Sequence, residues 1–101
     1  MSKARGIRFE NYVKRKLEQQ GYFVVRAAAS KPVDLVIIKN GEVMLVECKF
    51  NNYLSPEDRE KLAEISKKTG LKVMIATHHN GKVVLLPLES FERDNKKIRR
   101  I

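Results

Sequence analysis

An α/β fold, with a mixed five-stranded sheet flanked by helices in the order α-β-β-β-α-β-β, follows from three features of this sequence. Short runs rich in β-branched and aliphatic residues read as strands, two stretches carry apolar residues at helical spacing, and two Asn-Gly pairs mark tight turns. From Lys3 to Gln20, the residues Phe9, Tyr12, Val13 and Leu17 recur on one helical stripe, and Gly21 supplies the stop. Tyr22-Phe23-Val24-Val25-Arg26 reads as the first strand, and Ala27 to Pro32 as a connecting loop. Asp34 to Ile38 and Val43 to Phe50 flank Lys39-Asn40-Gly41-Glu42 and form a hairpin. Ser55-Pro56-Glu57-Asp58 joins an N-cap serine, a proline at the first helical position and first-turn acids, so a second helix starts there. It should bury Leu62 and Ile65 and end near Thr69-Gly70, after the basic pair Lys67-Lys68. Strand four follows at Lys72 to Thr77, and Asn80-Gly81 turns it into Lys82 to Leu86. Pro87 closes that strand, and a short terminal helix is expected after it.

A length of 101 residues, 43% of them hydrophobic and 33% charged, suits one domain built on a single hydrophobic core and argues against a membrane protein. The apolar runs stop far short of the roughly 20 residues that a membrane helix needs. The opening residues lead into a charged helical pattern rather than an apolar signal core, and Cys48 is the single cysteine. A disulfide framework is excluded and a cytoplasmic location is expected.

Charge is the first functional clue. The net charge is +9, of which residues 1–16 contribute +5 and residues 92–101 contribute +3. A basic N-terminal segment and a basic C-terminal tail favour a polyanionic partner, because neutralising phosphates releases condensed counterions. A solubilising surface is the alternative reading of the same charges.

If Asn40-Gly41 is a two-residue turn, cross-strand partners have numbers summing to 81 and Asp34 lies opposite Glu47. Alternation puts Lys49 on the same face, while Leu35, Ile37, Met44, Val46, Cys48 and Phe50 take the other. Two opposed carboxylates in an apolar hairpin repel, and a bound divalent cation or a shared proton offsets that repulsion. Mg2+ suits them, since it binds through one or two carboxylates and keeps water and substrate phosphate as its other ligands. Lys49 could then orient or deprotonate the attacking water, or steady the developing charge; a Lys49–Glu47 ion pair on a solvated face is the alternative. Glu10 falls about 20° from Leu17 on the helix, inside the apolar stripe. It either completes the metal site, directly or through water, or forms a structural ion pair, with Arg26 as a candidate partner.

The arrangement of Glu10, Asp34 and Glu47-Cys48-Lys49 resembles the PD-(D/E)XK nuclease motif, with the added helix glutamate of many members. The longer run from Gly6 to Lys49, with Gly21, Val24-Val25-Arg26 and Ala27-Ala28-Ala29-Ser30 in order, resembles the archaeal-type Holliday-junction resolvases. That resemblance implies a restriction-endonuclease-like core, with Asp34, Glu47 and Glu10 at a site for Mg2+, for which Mn2+ can substitute. It also implies that Lys49 assists the water, that Ser30 and Arg26 act in catalysis or DNA contact, and that a homodimer makes paired symmetric cuts in a four-way junction. Two positions depart from the family pattern. Val33 stands where a proline usually precedes the aspartate, and Asn11 stands where arginine is usual, which removes a cation near the site. On electrostatic grounds Lys3, Arg5, Arg8 and Lys14 join Arg26 as candidate DNA contacts. Leu85, Leu86, Leu88 and Phe91 are candidates for the dimer interface, with ordinary core packing as the alternative for each. His78-His79 is read as part of a surface turn, Cys48 as a small buried core residue, and Tyr12, Tyr22 and Phe23 as packing residues; Asn51-Asn52-Tyr53 could line a DNA channel. Two other readings remain, a nuclease of the same superfamily acting on duplex or other branched DNA, and a basic DNA-binding protein without catalysis.

Overall fold

The computed structural model describes residues 3–27 and 32–91, with side chains from residue 6 onward. Ser30, the side chains of Lys3 and Arg5, and the basic residues 92–101 lie outside the described residues.

The chain runs α1 (Lys3–Gln19), β1 (Phe23–Arg26), β2 (Leu35–Lys39), β3 (Glu42–Lys49), α2 (Pro56–Thr69), β4 (Lys72–His79) and β5 (Lys82–Pro87), then a 3-10 turn at Leu88–Ser90. The five strands form one sheet in the order β1-β2-β3-β4-β5. All neighbours are antiparallel except β3 and β4, which are parallel because α2 carries the chain back between them. The predicted element order and mixed sheet are both present.

Each helix covers one face of the sheet. On one side Phe9, Val13 and Leu17, spaced four apart along α1, pack on Val24, Leu35, Ile37, Val46 and Ala76. On the other, Leu62 of α2 packs with Leu45, Val73, Ile75, Leu54, Leu88 and Phe91. Ser55 caps α2 by accepting a hydrogen bond from the Asp58 amide at 3.1 Å, and Gly70 ends it in the left-handed conformation. Asn40 (φ 53°) and Gly41 (φ 79°) both have positive φ, the signature of a type I′ turn, and Asn80 and Gly81 repeat it. The first turn sets the expected register, with Lys39 opposite Glu42 and Leu35 opposite Val46. Among the described residues no helix is long and apolar enough to cross a membrane.

Three expectations are corrected. Leu88 and Phe91 are core residues rather than interface candidates, because the 3-10 turn folds them into the α2-side cluster and Arg59 Nε donates to the Phe91 carbonyl at 2.6 Å. The short helix expected after Pro87 is present as the 3-10 helix Leu88–Ser90. His78 and His79 are the last two residues of β4, since a two-residue turn lets pairing run to His79–Lys82. Phe23 is 66% exposed rather than packed. Alternation sends it to the face opposite Val24, away from α1, and β1 lies at the sheet edge, whereas α2 packs against β4.

Candidate active site

The β2–β3 hairpin builds the centre of the site. Its turn aligns the strands so that Asp34, immediately before β2, reaches the residues on either side of Glu47. The Asp34 amide donates to the Val46 carbonyl at 3.2 Å, and Asp34 Oδ2 accepts from the Cys48 amide at 2.8 Å. Its own carbonyl accepts from the Ala27 amide at 3.0 Å, tying the end of β1 to the same place. Asp34 is only 5% exposed. Glu47 is half-buried, with Oε1 fully so. Burying two carboxylates side by side is electrostatically costly unless hydrogen bonds or a cation compensate them.

Lys49 ends β3 on the face that α2 covers. Its Nζ lies 3.1 Å from Asp58 Oδ2, in the first turn of α2. Asp58 was identified from sequence only as a first-turn acid; that it holds Lys49 depends on how residues 50–54 fold back, which no local spacing reveals. Both groups are partly exposed, so screening keeps the pair's contribution to stability small.

Glu10 approaches from α1. Its Oε1 lies 3.5 Å from Arg26 Nε of β1, the structural ion pair expected as the alternative to metal binding. Glu10, Lys49 and Asp58 together line a cleft of about 350 Å3 at the C-terminal end of β3, with Cys48, Phe50 and Tyr53 in its wall. Cys48 is half-buried against the α1-side core and links the cleft to Asp34 through its amide. Arg8 is exposed on α1, and Lys14 pairs with Glu18 one turn later at 2.8 Å.

Among the described residues, no three His, Cys, Asp or Glu side chains are grouped closely enough to hold a metal ion by themselves. Asp34 and Glu47 nevertheless offer hard carboxylate oxygens at neighbouring positions, a donor set that fits a magnesium-type ion completed by water and phosphate. Chemically, the site combines an acidic pair, a lysine cation and a cleft large enough for part of a nucleotide.

Residues 1–101 match the family described as archaeal Holliday junction resolvase. The crossover junction endodeoxyribonuclease Hjc of Methanocaldococcus jannaschii is 40% identical over 86 residues, covering 81% of this chain and 65% of that protein. The protein of the same name from Sulfurisphaera tokodaii is 30% identical over 80 residues, covering 68% of this chain and 56% of its own. This chain thus spans less than two thirds of the length of these relatives. In fold it is similar to the Archaeoglobus fulgidus Hjc structure, a Holliday junction resolvase from an archaeal hyperthermophile. The TM-score is 0.78 at 24% identity, over 91% of this chain and 80% of that one.

Proposed function

This chain belongs to the archaeal Holliday junction resolvase family, and from that premise we propose that it is a metal-dependent endonuclease that hydrolyses phosphodiesters at four-way DNA junctions. The observation that carries the reading is the Asp34 carboxylate bonded to the Cys48 amide, which fixes it next to Glu47 at the end of a register-locked hairpin. Asp34 and Glu47 are the residues that would hold Mg2+, or Mn2+ in its place, with Glu10 reaching the site through water. When bound, such an ion lowers the pKa of a coordinated water and neutralises phosphate charge.

The chain's own groups do the rest. Lys49, steadied by Asp58, presents its ammonium to the cleft, where it attracts the scissile phosphate and stabilises charge that builds up on its oxygens. Ser30, four positions before Asp34 in sequence, is assigned to catalysis on the family resemblance. Lys3, Arg5, Arg8, Lys14 and Arg26 contact DNA backbone without reading sequence, with Arg26 also holding Glu10 in place. The chain acts as one nuclease domain, and two copies related by a two-fold axis supply the two cuts that junction resolution requires.

The test uses a labelled immobile four-way junction and a matched linear duplex, each with Mg2+ or with chelator, resolved on a denaturing gel. Paired, metal-dependent cuts in opposing junction strands with the duplex spared are expected. Equal cleavage of both substrates would move the chain to a general nuclease, and binding without cleavage would make it a DNA-binding protein.

A further inference from the structure

Phe50 follows Lys49 directly, at the first position past β3, and lines the same cleft as Glu10 and Lys49. Its ring stacks on His78 of β4, with centroids 5.2 Å apart and planes 21° from parallel. It also meets Phe9 of α1 in a T-shaped contact at 5.3 Å and 84°. These two contacts fix the plane of the ring, because turning it would break both. Yet Phe50 remains 45% exposed, and Tyr53, which lines the cleft with it, is 39% exposed. A ring held by two neighbours, in a residue that stays 45% exposed beside an open cleft, is poorly explained by core packing.

The chemistry beside it identifies what such a surface takes. The Lys49 ammonium, one residue away, offers a charged donor to a phosphate oxygen, and the net charge of +9 attracts a polyanion to the chain as a whole. A nucleobase attached to that backbone has a π-face, and base–aromatic stacking is sequence-tolerant. Inside a continuous duplex every base face is already stacked. Only a branch point, a nick or a distorted step offers one, so an aromatic surface here discriminates by structure rather than by sequence.

Building on the nuclease reading above, we infer that Phe50, braced by His78 and Phe9, is a stacking platform for an unstacked nucleobase beside the scissile phosphate. The platform adds affinity for branched DNA and none for intact duplex.

The experiment is run in chelator, so that no cleavage is needed, on four-way junctions carrying 2-aminopurine at each branch-point position in turn. Wild type and Phe50→Tyr, which keeps the ring, should quench the fluorescence at one or more positions. Phe50→Leu, which keeps the apolar packing but loses the π-face, should lose that quenching and bind the junction about five- to 150-fold more weakly, with duplex affinity unchanged. Thermal unfolding of Phe50→Leu near that of wild type shows that the fold is intact. Quenching and junction affinity of Phe50→Leu equal to wild type, or no quenching by wild type at any position, overturns the inference. Failure of the nuclease reading would show separately, as wild type leaving the junction uncut in Mg2+.

Discussion

Replacing Asp34 separates its two jobs, holding the hairpin together and supplying a charged oxygen. Asp34→Ala removes the acceptor that binds the Cys48 amide at 2.8 Å in a site only 5% exposed. An amide left unsatisfied there costs about 1–3 kcal/mol. At roughly 4–8 °C per kcal/mol for a domain of this size, the melting temperature should fall by about 4–24 °C. Asp34→Asn keeps an oxygen that can accept the same bond and removes the repulsion toward Glu47, so without metal its melting temperature should stay within a few degrees of wild type. Both variants should lose junction cleavage. Wild type should also gain stability with Mg2+, about 2.7 kcal/mol at a hundredfold excess over Kd, and Asp34→Asn should lose most of that gain. Thermal unfolding with and without Mg2+, alongside the gel assay, reads all of these effects. An Asp34→Asn variant that still cuts, or an Asp34→Ala variant as stable as wild type, would refute the reasoning.

Lys49→Met should lower the cleavage rate by about 100-fold or more while changing stability by less than about 1 kcal/mol, because its pair with Asp58 is partly exposed; single-turnover kinetics and thermal unfolding check the two halves. Ser55→Ala should cost about 1 kcal/mol, a melting-temperature drop of roughly 4–8 °C, by leaving the Asp58 amide without its 3.1 Å acceptor. Junction affinity should fall linearly on a log–log plot against salt, with a slope of about −0.9 per phosphate neutralised; a flat plot would contradict a basic DNA-binding surface.

The parts of the molecule governed by local chemistry were legible in the sequence. Asn40-Gly41 takes the type I′ conformation that its residue types demand, so the register of Asp34 against Glu47 could be counted without a structure. Ser55 and Gly70 cap α2 for the same reason. Contacts that depend on how the helices settle on the sheet were not legible. The Lys49–Asp58 pair bridges a turn in which Asn52 has φ 64°, and no periodicity encodes that path. Phe91, an apolar residue near a basic tail, reads equally as interface or core until the 3-10 turn and Arg59 draw it inside. Phe23 reads as core until its strand turns out to lie at the sheet edge. His78 reads as turn from its closeness to Asn80-Gly81, although a two-residue turn already requires β4 to extend to His79.

The two Asn-Gly turns look alike and tolerate modification very differently. Asn80-Gly81 joins β4 to β5, and β5 carries none of the candidate catalytic residues, so a peptide insert there should leave the register of Asp34 against Glu47 unchanged. Asn40-Gly41 acts as an index pin for the site about 20 Å away. One residue added to it would turn Glu47 and Lys49 to the opposite face of the sheet from Asp34, leaving every side chain of the site present and the site itself dismantled.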